Sequence, residues 1–379
     1  MMITRTMRSG EARAIAIVIT AIVTTLPLLP LPALAADPVA AAKAATTKAE
    51  APAKVWDGPT SGPKAQKGKF VLYVSTNQQN GGALGVGNGV VEAAKQIGWR
   101  TQVIDGQGTV SGQSAALNQA IALKPDAIVL GGIDAVGQKT AIERALSLGI
   151  KVVGWHAGPK PGPMSDPKVF TNIETRAEDT AKTTADYVIA KSDGKANVVI
   201  LTDSQYAIAI LKAQTMRKVM EACKTCSVLD YLDSPIAEAS TRMPQVTISL
   251  KQRFGPRLGW LLAINDLYFD FAAPALRSAG VGPGGPPQFV SAGDGSTSAY
   301  GRIRDGQYQV ATIPEPLNLQ GWQVVDELNR AFSGRPPSGY VTAAHIVTKE
   351  NIGSDGGPKN IFDPANGYRH QYKKIWGIQ

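Results

Sequence analysis

Short apolar runs rich in β-branched residues alternate along this chain with longer stretches in which apolar residues recur every three or four positions. The run KFVLYVS (69–75) is typical of a buried strand, and ALGVGNGVVEAAKQIG (83–98) has the spacing of a helix that ends at a glycine. RTQVID, DAIVLGG and IKVVGW repeat the strand, and helices are predicted near 111–123 and 136–148 between them. Because parallel strands need crossover connections, the alternation predicts a parallel sheet covered by helices on both faces.

A second series of the same kind follows and predicts a second, similar α/β lobe. After this series QVATI, a helix over 319–332 and YVTAAHIVT are elements that can return between the lobes. The predicted strands of the series are NVVILTD, SVLDYLD, GWLLAIND and QFVSAGD, and its helices lie near 175–191, 206–221, 243–253 and 269–278.

Polar and aromatic side chains follow the predicted strands at their carboxyl ends. In an open parallel sheet these ends gather at the mouth of a crevice, so the residues there are candidates for ligand binding before any ligand is known. Amides, carboxylates and aromatic rings together suit a polar small molecule that is hydrogen-bonded and stacked. The candidates are Asn77, Gln79, Asn80, Asp134, Trp155, His156, Tyr206, Asn265, Asp294 and Glu315.

Two of these candidates have a structural interpretation beside the functional one. A single histidine at a strand end is often only a satisfied structural residue, and His156 is favoured for function only by its place among the other candidates. Asp134 in GGIDA can cap the helix that follows, since an aspartate there accepts hydrogen bonds from helical N–H groups. For Asp134 we favour capping over ligand contact.

The stretch from Gly85 to Gly89, with Asp105 beyond it, imitates a dinucleotide-binding fingerprint. In that fingerprint the first glycine stands at the end of the strand, where the pyrophosphate meets the start of the helix. Here about ten residues separate Ser75 from Gly85. We therefore expect these glycines to let the helix pack closely on its sheet, and we expect no nucleotide cofactor.

The first 35 residues have the pattern of a secretory signal. Three arginines precede the apolar run AIAIVITAIVTTLPLL, which closes on small residues ending at Ala35. Prolines interrupt the run short of the roughly 20 residues that a membrane-spanning helix needs, so a retained anchor is the less favoured interpretation. We expect cleavage near Ala35, export to the periplasm and no stable insertion in the membrane.

Residues 36–68 are rich in Ala, Pro, Lys and Thr and predict a disordered tether. Of the net charge of +9, residues 1–35 contribute +2 and residues 36–68 another +2, which leaves +5 for the remainder. That remainder contains no run of Lys or Arg, so the charge indicates a solvated surface and not a nucleic-acid partner.

The two cysteines, Cys223 and Cys226, are separated by two residues. Such spacing also occurs in redox motifs and in half of a zinc site, but no second cysteine pair exists and the three histidines lie far apart at 156, 345 and 370. Since exported proteins form structural disulfides, we favour a Cys223–Cys226 disulfide and no metal site.

No catalytic motif stands out in the sequence. There is no GxSxG elbow, no HExxH pair and no Walker loop, so no catalytic residue is assigned and an enzyme is not expected.

From Lys69 to about Ile352 the chain resembles the sugar-specific periplasmic binding proteins of ABC importers, of the ribose-binding type. The stretches that carry the resemblance are FVLYVSTNQQN, KPDAIVLGGIDA, GIKVVGW, NIETRAEDTAKTTADYVI, AINDLYFDFAAPALRSAG, VSAGDGSTSAYGRIRDG and QVATIPEP, and they occur in the order that the family has.

The resemblance implies the type I fold, in which two Rossmann-like lobes with parallel sheets are joined by a three-strand hinge and close on a ligand like a Venus flytrap. Chain crossings are expected near Asn172, Pro314 and Tyr340. The N-terminal lobe then consists of 69–172 plus 315–339, the C-terminal lobe of 173–314 plus 340–352, and 353–379 form a C-terminal tail with a short helix.

The resemblance also assigns ligand-binding roles. The asparagine of the INDL stretch in the family falls on Asn265, the aspartate of its GxDG turn on Asp294, and the polar residue after the second crossing on Glu315. Both Asn265 and Asp294 can bond sugar hydroxyl groups, the carboxylate more strongly because charge assists its hydrogen bonds.

The chain departs from the ribose type at other positions of the site. An Asp-Arg pair of that type is replaced by His156-Ala157, two sugar-stacking phenylalanines by Gly81-Gly82, and an arginine of the second lobe falls on Ile210. We expect Trp155 to replace the missing aromatic stacking, and a ligand other than ribose.

Three functions remain open from the sequence. The leading hypothesis is a monomeric receptor that captures a small sugar or polyol and delivers it to an ABC permease and its ATPase. A second keeps the fold but binds a flat or cationic ligand through Trp155, Tyr206 and carboxylates that include Glu238. A third is a secreted enzyme that uses His156 with Asp294 or Glu315 as acid and base.

Overall fold

The first lobe contains a six-stranded sheet. The structure, a computed structural model, describes residues 37–378. In chain order the elements up to the end of this sheet are α1 (Pro38–Ala49), β1 (Phe70–Ser75), α2 (Gly81–Gln96), β2 (Arg100–Asp105), α3 (Val110–Ala122), β3 (Ala127–Gly131), α4 (Lys139–Ser147), β4 (Lys151–Trp155), β5 (Gly162–Ser165) and β6 (Lys168–Ile173).

The strands of this sheet lie in the order β2-β1-β3-β4-β6-β5, and all neighbours are parallel except β5 and β6. Alternate residues of β1 enter different cores: Val71 and Tyr73 pack on one face of the sheet, and Leu72 and Val74 on the other. A strand buried on both faces reads as a continuous apolar run, which is why β1 is visible in the sequence. The predicted parallel sheet is confirmed.

The second lobe repeats the arrangement with strand order β12-β11-β10-β9-β7-β8, and only β12 is antiparallel to its neighbour. Its elements, with those that follow, are α5 (Ala177–Lys191), β7 (Asn197–Thr202), α6 (Ala207–Ala222), β8 (Ser227–Asp233), α7 (Ala239–Phe254), β9 (Trp260–Ala263), α8 (Leu267–Ser278), β10 (Gln288–Ser291), α9 (Thr297–Asp305), β11 (Gln309–Thr312), α10 (Leu317–Phe332), β12 (Val347–Thr348), α11 (Ile352–Asp355) and α12 (Tyr368–Trp376).

Helix α10 returns from the second sheet and packs on α2 of the first lobe. A Cβ added at Gly89 would lie 2.8 Å from the carbonyl oxygen of Asn318, and one at Gly321 only 2.5 Å from the backbone of Gly89. The two helices therefore approach so closely that only glycine fits at the crossing. Gly87 lies against Tyr73 of β1, as the predicted packing on the sheet requires, whereas the packing of Gly89 on α10 was not predicted.

The chain passes between the two sheets three times, through residues 174–176, 313–316 and 333–346. The first two passages are joined directly, because the backbone N–H of Thr175 donates to Oε2 of Glu315 at 2.9 Å. The hinge therefore lies directly beside the residues of the candidate site.

The disordered tether predicted for 36–68 is wrong over its described part. Asp37 caps α1 by accepting from the N–H of Val39, and Pro38 occupies the first turn. Ala42 is buried in the core cluster of the second lobe, beside residues of α5. Small alanine side chains supply no core of their own, but they let one helix lie closely on another.

The rest of this segment is fixed on the first lobe. The ring of Trp56 packs on Tyr340 and Tyr372, with ring centroids 5.4 and 5.3 Å apart. Further along, Arg330 and Asn329 of α10 donate hydrogen bonds to carbonyl oxygens within residues 61–64. One large aromatic residue and hydrogen bonds from side chains of α10 hold a segment whose composition alone suggests disorder.

The C-terminal residues form the predicted short helix, α12. Its aromatic residues Tyr368, Tyr372 and Trp376 are spaced by four and face Trp322 of α10, and the two tryptophan rings stack at 5.4 Å. The indole N–H of Trp376 donates to Asp326 at 2.9 Å.

Three smaller features complete the fold. The hairpin of β5 and β6 was not predicted as a hairpin, because glycines and prolines dominate residues 158–167. Cys223 and Cys226 form a disulfide between α6 and β8. Within residues 37–378 no helix is both long and apolar enough to cross a bilayer, and the predicted signal lies outside the described residues.

Candidate ligand-binding cleft

A cavity lies between the two lobes at the carboxyl ends of the strands. Its volume is about 60 Å³, several times the volume that one water molecule needs. It therefore has room for a small ligand. The polar and aromatic residues that line it are Thr76, Asn77, Asn80, Trp155 and His156 from the first lobe, and Tyr206, Lys212, Asn265 and Asp294 from the second.

The lobes touch around this cavity. The hydroxyl of Tyr206 lies 3.1 Å from Thr76 Oγ1 and accepts a hydrogen bond from Gln113 Nε2 at 3.3 Å. The N–H of Ala207, at the start of α6, donates to Asp134 Oδ2 at 3.2 Å. These bonds cross from one lobe to the other, so the structure holds the closed arrangement.

Four buried ionisable side chains meet at the inner end of the cleft. His156 Nε2 lies 2.7 Å from Glu315 Oε1, and Lys212 Nζ lies 3.7 Å from Asp294 Oδ1 and 3.9 Å from Glu315 Oε1. None of the four is more than 7% exposed. Since isolated buried charges are unfavourable, their mutual pairing is what permits them here.

The pKa values of this cluster reflect both burial and pairing. Burial opposes the ionisation of Glu315, but the charge of His156 and its hydrogen bond lower the pKa of this carboxyl to about 2. Burial alone would lower the pKa of His156, and Glu315 outweighs it, so that this pKa is raised. For Asp294 burial dominates and raises the pKa, although Lys212 and His156 act against it.

Stacking on Trp155 and the hydrogen bond with Glu315 hold the ring of His156 in one orientation. Its ring stacks on that of Trp155 at 3.9 Å with only 9° between the planes, and its φ of 51° lies in the left-handed region. Trp155 Nε1 in turn donates to Gln320 Oε1 at 2.7 Å. One face of Trp155 is therefore covered by His156 and is not available to stack on a ligand, while its role in binding stays a prediction.

Glu315 lies behind the cavity and does not line it. Besides His156 and Thr175, it accepts a hydrogen bond from Gln320 Nε2 at 2.6 Å. The carboxylate, predicted as a ligand contact, thus holds His156 and both neighbouring hinge passages in place.

Asn265 and Asp294 line the cavity side by side. Asn265 Nδ2 donates to Asp294 Oδ2 at 2.7 Å, and Asn265 Oδ1 caps α8 by accepting from the N–H of Leu267. The other carboxylate oxygen of Asp294, Oδ1, lies 3.7 Å from Lys212 Nζ. The structure therefore brings both residues to the place that the resemblance implied.

The candidates after β1 divide into two groups. Asn77 and Asn80 line the cavity, and Asn80 Oδ1 also caps α2 by accepting from the N–H groups of Gly82 and Ala83. The structure does not bring Gln79 into the cavity, because the turn that links Asn77 to Asn80 directs it outward, where it is exposed.

Two carboxylates outside the cavity have structural roles. Asp134 Oδ1 accepts from the N–H of Val136 in the turn before α4, and its other oxygen reaches α6 of the second lobe. The predicted capping of the following helix by Asp134 is wrong, because the N-cap of α4 is Gln138 and no side chain caps this helix. The bond from Ala207 of α6 to Asp134 across the cleft was not predicted. Glu238 is half exposed and forms an ion pair with Arg242, away from the cavity.

Lys212 is a cavity residue that the strand ends and the resemblance do not predict. The resemblance placed the arginine of the family on Ile210, whereas the buried cation comes two residues later. A signal existed: Ala209, Lys212 and Met216 share the buried face of α6, and Lys212 is the charged residue among them. A charge on the apolar face of a helix indicates a functional or paired side chain.

Donor atoms of His156, Asp294 and Glu315 lie within 4.8 Å of one another, as in a metal site. Lys212 already places a positive charge beside two of the three residues. The cluster is thus a set of paired side chains, and we assign no metal to it.

Two α/β lobes with an enclosed polar cavity between their sheets define the class of two-lobed solute-binding proteins. Residues 70–336 match the model of the periplasmic binding protein domain. Since the match covers well over half of the chain, the protein belongs to this family. A search of curated proteins finds no match.

Solved structures with the same fold include three binding components of ABC transporters. The periplasmic component of the arabinose ABC transporter from Shewanella sp. ANA-3, bound to L-arabinofuranose, is 19% identical with a TM-score of 0.63, covering 81% of this chain and 95% of its own. A solute-binding protein from Agrobacterium vitis with bound allitol is 19% identical with a TM-score of 0.62, covering 75% and 97%. A second one from Agrobacterium vitis, with α-D-tagatopyranose, is 16% identical with a TM-score of 0.68, covering 78% and 99%.

Proposed function

We propose that this protein is the exported solute-binding component of an ABC importer, which encloses one uncharged sugar or polyol between its lobes and delivers it unaltered to a permease. The observation that carries the proposal is the composition of the closed cleft. Its inner end combines two cationic side chains, Lys212 and His156, with two anionic ones, Asp294 and Glu315. A neutral ligand rich in hydroxyl groups leaves that balance intact.

A charged ligand is less well supported. In a buried site an added charge needs a partner of opposite sign, or else it is unfavourable by several kcal/mol. A cationic ligand would approach Asp294, but Lys212 already lies beside that carboxylate. One face of Trp155 is also taken by His156. Both features disfavour the alternative of a flat or cationic ligand.

Export and partners follow from the same proposal. Cleavage near Ala35 would release a mature chain that begins just before α1. The similar structures named above belong to ABC transport systems by their descriptions, which supports a permease and its ATPase as partners. We propose that the receptor acts as a monomer, binds no nucleic acid, and catalyses no reaction of the ligand that it carries.

The test is calorimetry of the mature protein with L-arabinose, D-tagatose, D-galactose, allitol, glycerol and the diamine putrescine. We expect at least one sugar or polyol to bind and putrescine not to bind. Mass spectrometry of the ligand released by denaturation should recover it intact. Binding of putrescine alone, or recovery of a converted product, would contradict the proposal.

Asp294→Ala should weaken binding of that ligand by more than tenfold. The variant removes an acceptor in the cavity, and an unmet hydrogen bond costs about 1–3 kcal/mol. Asp305→Asn, on the exposed end of α9, is the control and should bind like the wild type. Equal affinity of Asp294→Ala and wild type would remove Asp294 from the site.

A further inference from the structure

The ammonium group of Lys212 ends in the cavity without a hydrogen-bond partner among residues 37–378. Lys212 is 3% exposed, and its nearest carboxylate oxygens, on Asp294 and Glu315, lie at 3.7 and 3.9 Å. Both distances are longer than the donor–acceptor distance of a hydrogen bond. An ammonium carries three donors, and buried donors are almost always satisfied. The side of Lys212 that faces the cavity is therefore open to a ligand atom that accepts.

An unused acceptor lies beside this donor. Asp294 Oδ2 accepts from Asn265, whereas Asp294 Oδ1 has no donor within hydrogen-bond distance among the described residues and lies 3.7 Å from Lys212 Nζ. Donor and acceptor thus stand next to each other on the same wall of the cavity, too far apart to satisfy one another.

We infer that Lys212 is a ligand-binding and specificity-determining residue that acts with Asp294 to bind two neighbouring hydroxyl groups of one ligand. Lys212 donates to the oxygen of one hydroxyl, and Asp294 accepts the proton of the other. A hydroxyl group both donates and accepts, so hydroxyls on adjacent carbon atoms complement this pair of side chains. The inference rests on the proposed function and specifies which part of the solute is recognised.

The same pair also selects against charged relatives of the solute. A carboxylate of a sugar acid would satisfy Lys212 but would lie against Asp294, and an ammonium of an amino sugar would satisfy Asp294 but would lie against Lys212. Like charges in such contact are unfavourable and exclude wrong ligands. A neutral vicinal diol meets neither repulsion.

The experiment is calorimetry with the panel sugar or polyol that binds the wild type and with its monodeoxy derivatives. Lys212→Met keeps the length of the stem and removes the donors. We expect Lys212→Met to bind the parent compound at least tenfold more weakly. One monodeoxy derivative lacks the hydroxyl that Lys212 contacts, and we expect the wild type to bind it at least tenfold more weakly than the parent compound. Lys212→Met should bind this derivative and the parent compound equally well. For the other monodeoxy derivatives, the loss of affinity relative to the parent should be the same in Lys212→Met as in the wild type.

The controls separate binding from folding. Lys218→Met lies on the exposed face of α6 and should bind like the wild type. Lys212→Leu also removes the donors, and it serves as the second variant if the melting temperature of Lys212→Met shows that it does not fold.

Each outcome decides one claim. Wild-type affinity in the Lys212 variants, or deoxy penalties that all persist in them, overturns the assignment of Lys212 and leaves the proposed function standing. If no sugar or polyol of the panel binds the wild type, the proposed function fails and the assignment fails with it.

Discussion

Glu174 of the hinge carries an ionisable side chain that is buried in the folded protein. Glu174 is buried, accepts a hydrogen bond from Asn172 at 2.7 Å through Oε2, and has no partner for Oε1 among the described residues. Burial raises the pKa of Glu174 to about 8, and the charge of His156 opposes this rise. The side chain is therefore protonated in the folded protein at neutral pH.

Glu174 should make the protein less stable as the pH rises. Its pKa in the folded state lies above the ordinary value of 4.5, so the folded state binds the extra proton and loses stability between pH 4.5 and about 8. Glu174→Gln imitates the protonated acid. Between pH 5 and pH 8.5 its melting temperature should fall less than that of the wild type, by about 2 °C or more.

Thermal unfolding followed by circular dichroism measures this difference. Glu143→Gln, on the exposed surface of α4, is the control and should follow the wild type. Parallel pH profiles for Glu174→Gln and wild type would show that Glu174 is ionised in the folded protein.

The candidate residues could be found from the sequence where they follow strands. Asn77, Asn265 and Asp294 each stand at the carboxyl end of a buried apolar run, and position alone brings them to one edge. The sequence could not show that His156 would meet Glu315 and Lys212, because those contacts join distant parts of the chain. Lys212 also lies within a helix, away from the strand ends at which ligand contacts were predicted.

At the scale of elements, continuous apolar runs made the buried strands predictable, and helix α10 was recognisable from its spacing. The elements that were missed carry weak local signals. Helix α1 consists mainly of small residues, and β12 contains only Val347 and Thr348 of the stretch YVTAAHIVT. Their structure depends on packing against other parts of the chain, which composition does not reveal.

The N-terminal turn of α2 meets the second lobe so closely that a side chain at Gly82 would prevent closure. A Cβ at this position would lie 2.6 Å from the Cβ of Asp294. Gly82→Ala should therefore weaken ligand binding by at least tenfold and leave the melting temperature of the ligand-free protein within about 2 °C of wild type, since the clash arises between lobes.

Gly301→Ala is the matched control, because a Cβ there meets nothing within 4 Å and the residue lies in α9. Calorimetry with the ligand identified above gives both affinities. If Gly82→Ala binds as tightly as Gly301→Ala, the lobes do not approach each other this closely in the bound state.

For the whole molecule, the terminal segments also connect the lobes. Helix α1 lies on the second lobe while Trp56 and residues 61–66 lie on the first, and the C-terminal chain returns from α11 on the second lobe to α12 on the first. Within residues 37–378, five segments therefore span the lobes, two more than the hinge that the resemblance implied. Opening must move or bend all of them, and a ligand favours closure only through its higher affinity for the closed state.

Small-angle X-ray scattering of the mature protein, with and without a saturating amount of the sugar or polyol that calorimetry identifies, tests most directly whether two lobes close around one solute. We predict a smaller radius of gyration with the ligand and a scattering curve that matches the closed arrangement. Identical curves for the free and the saturated protein would contradict the account.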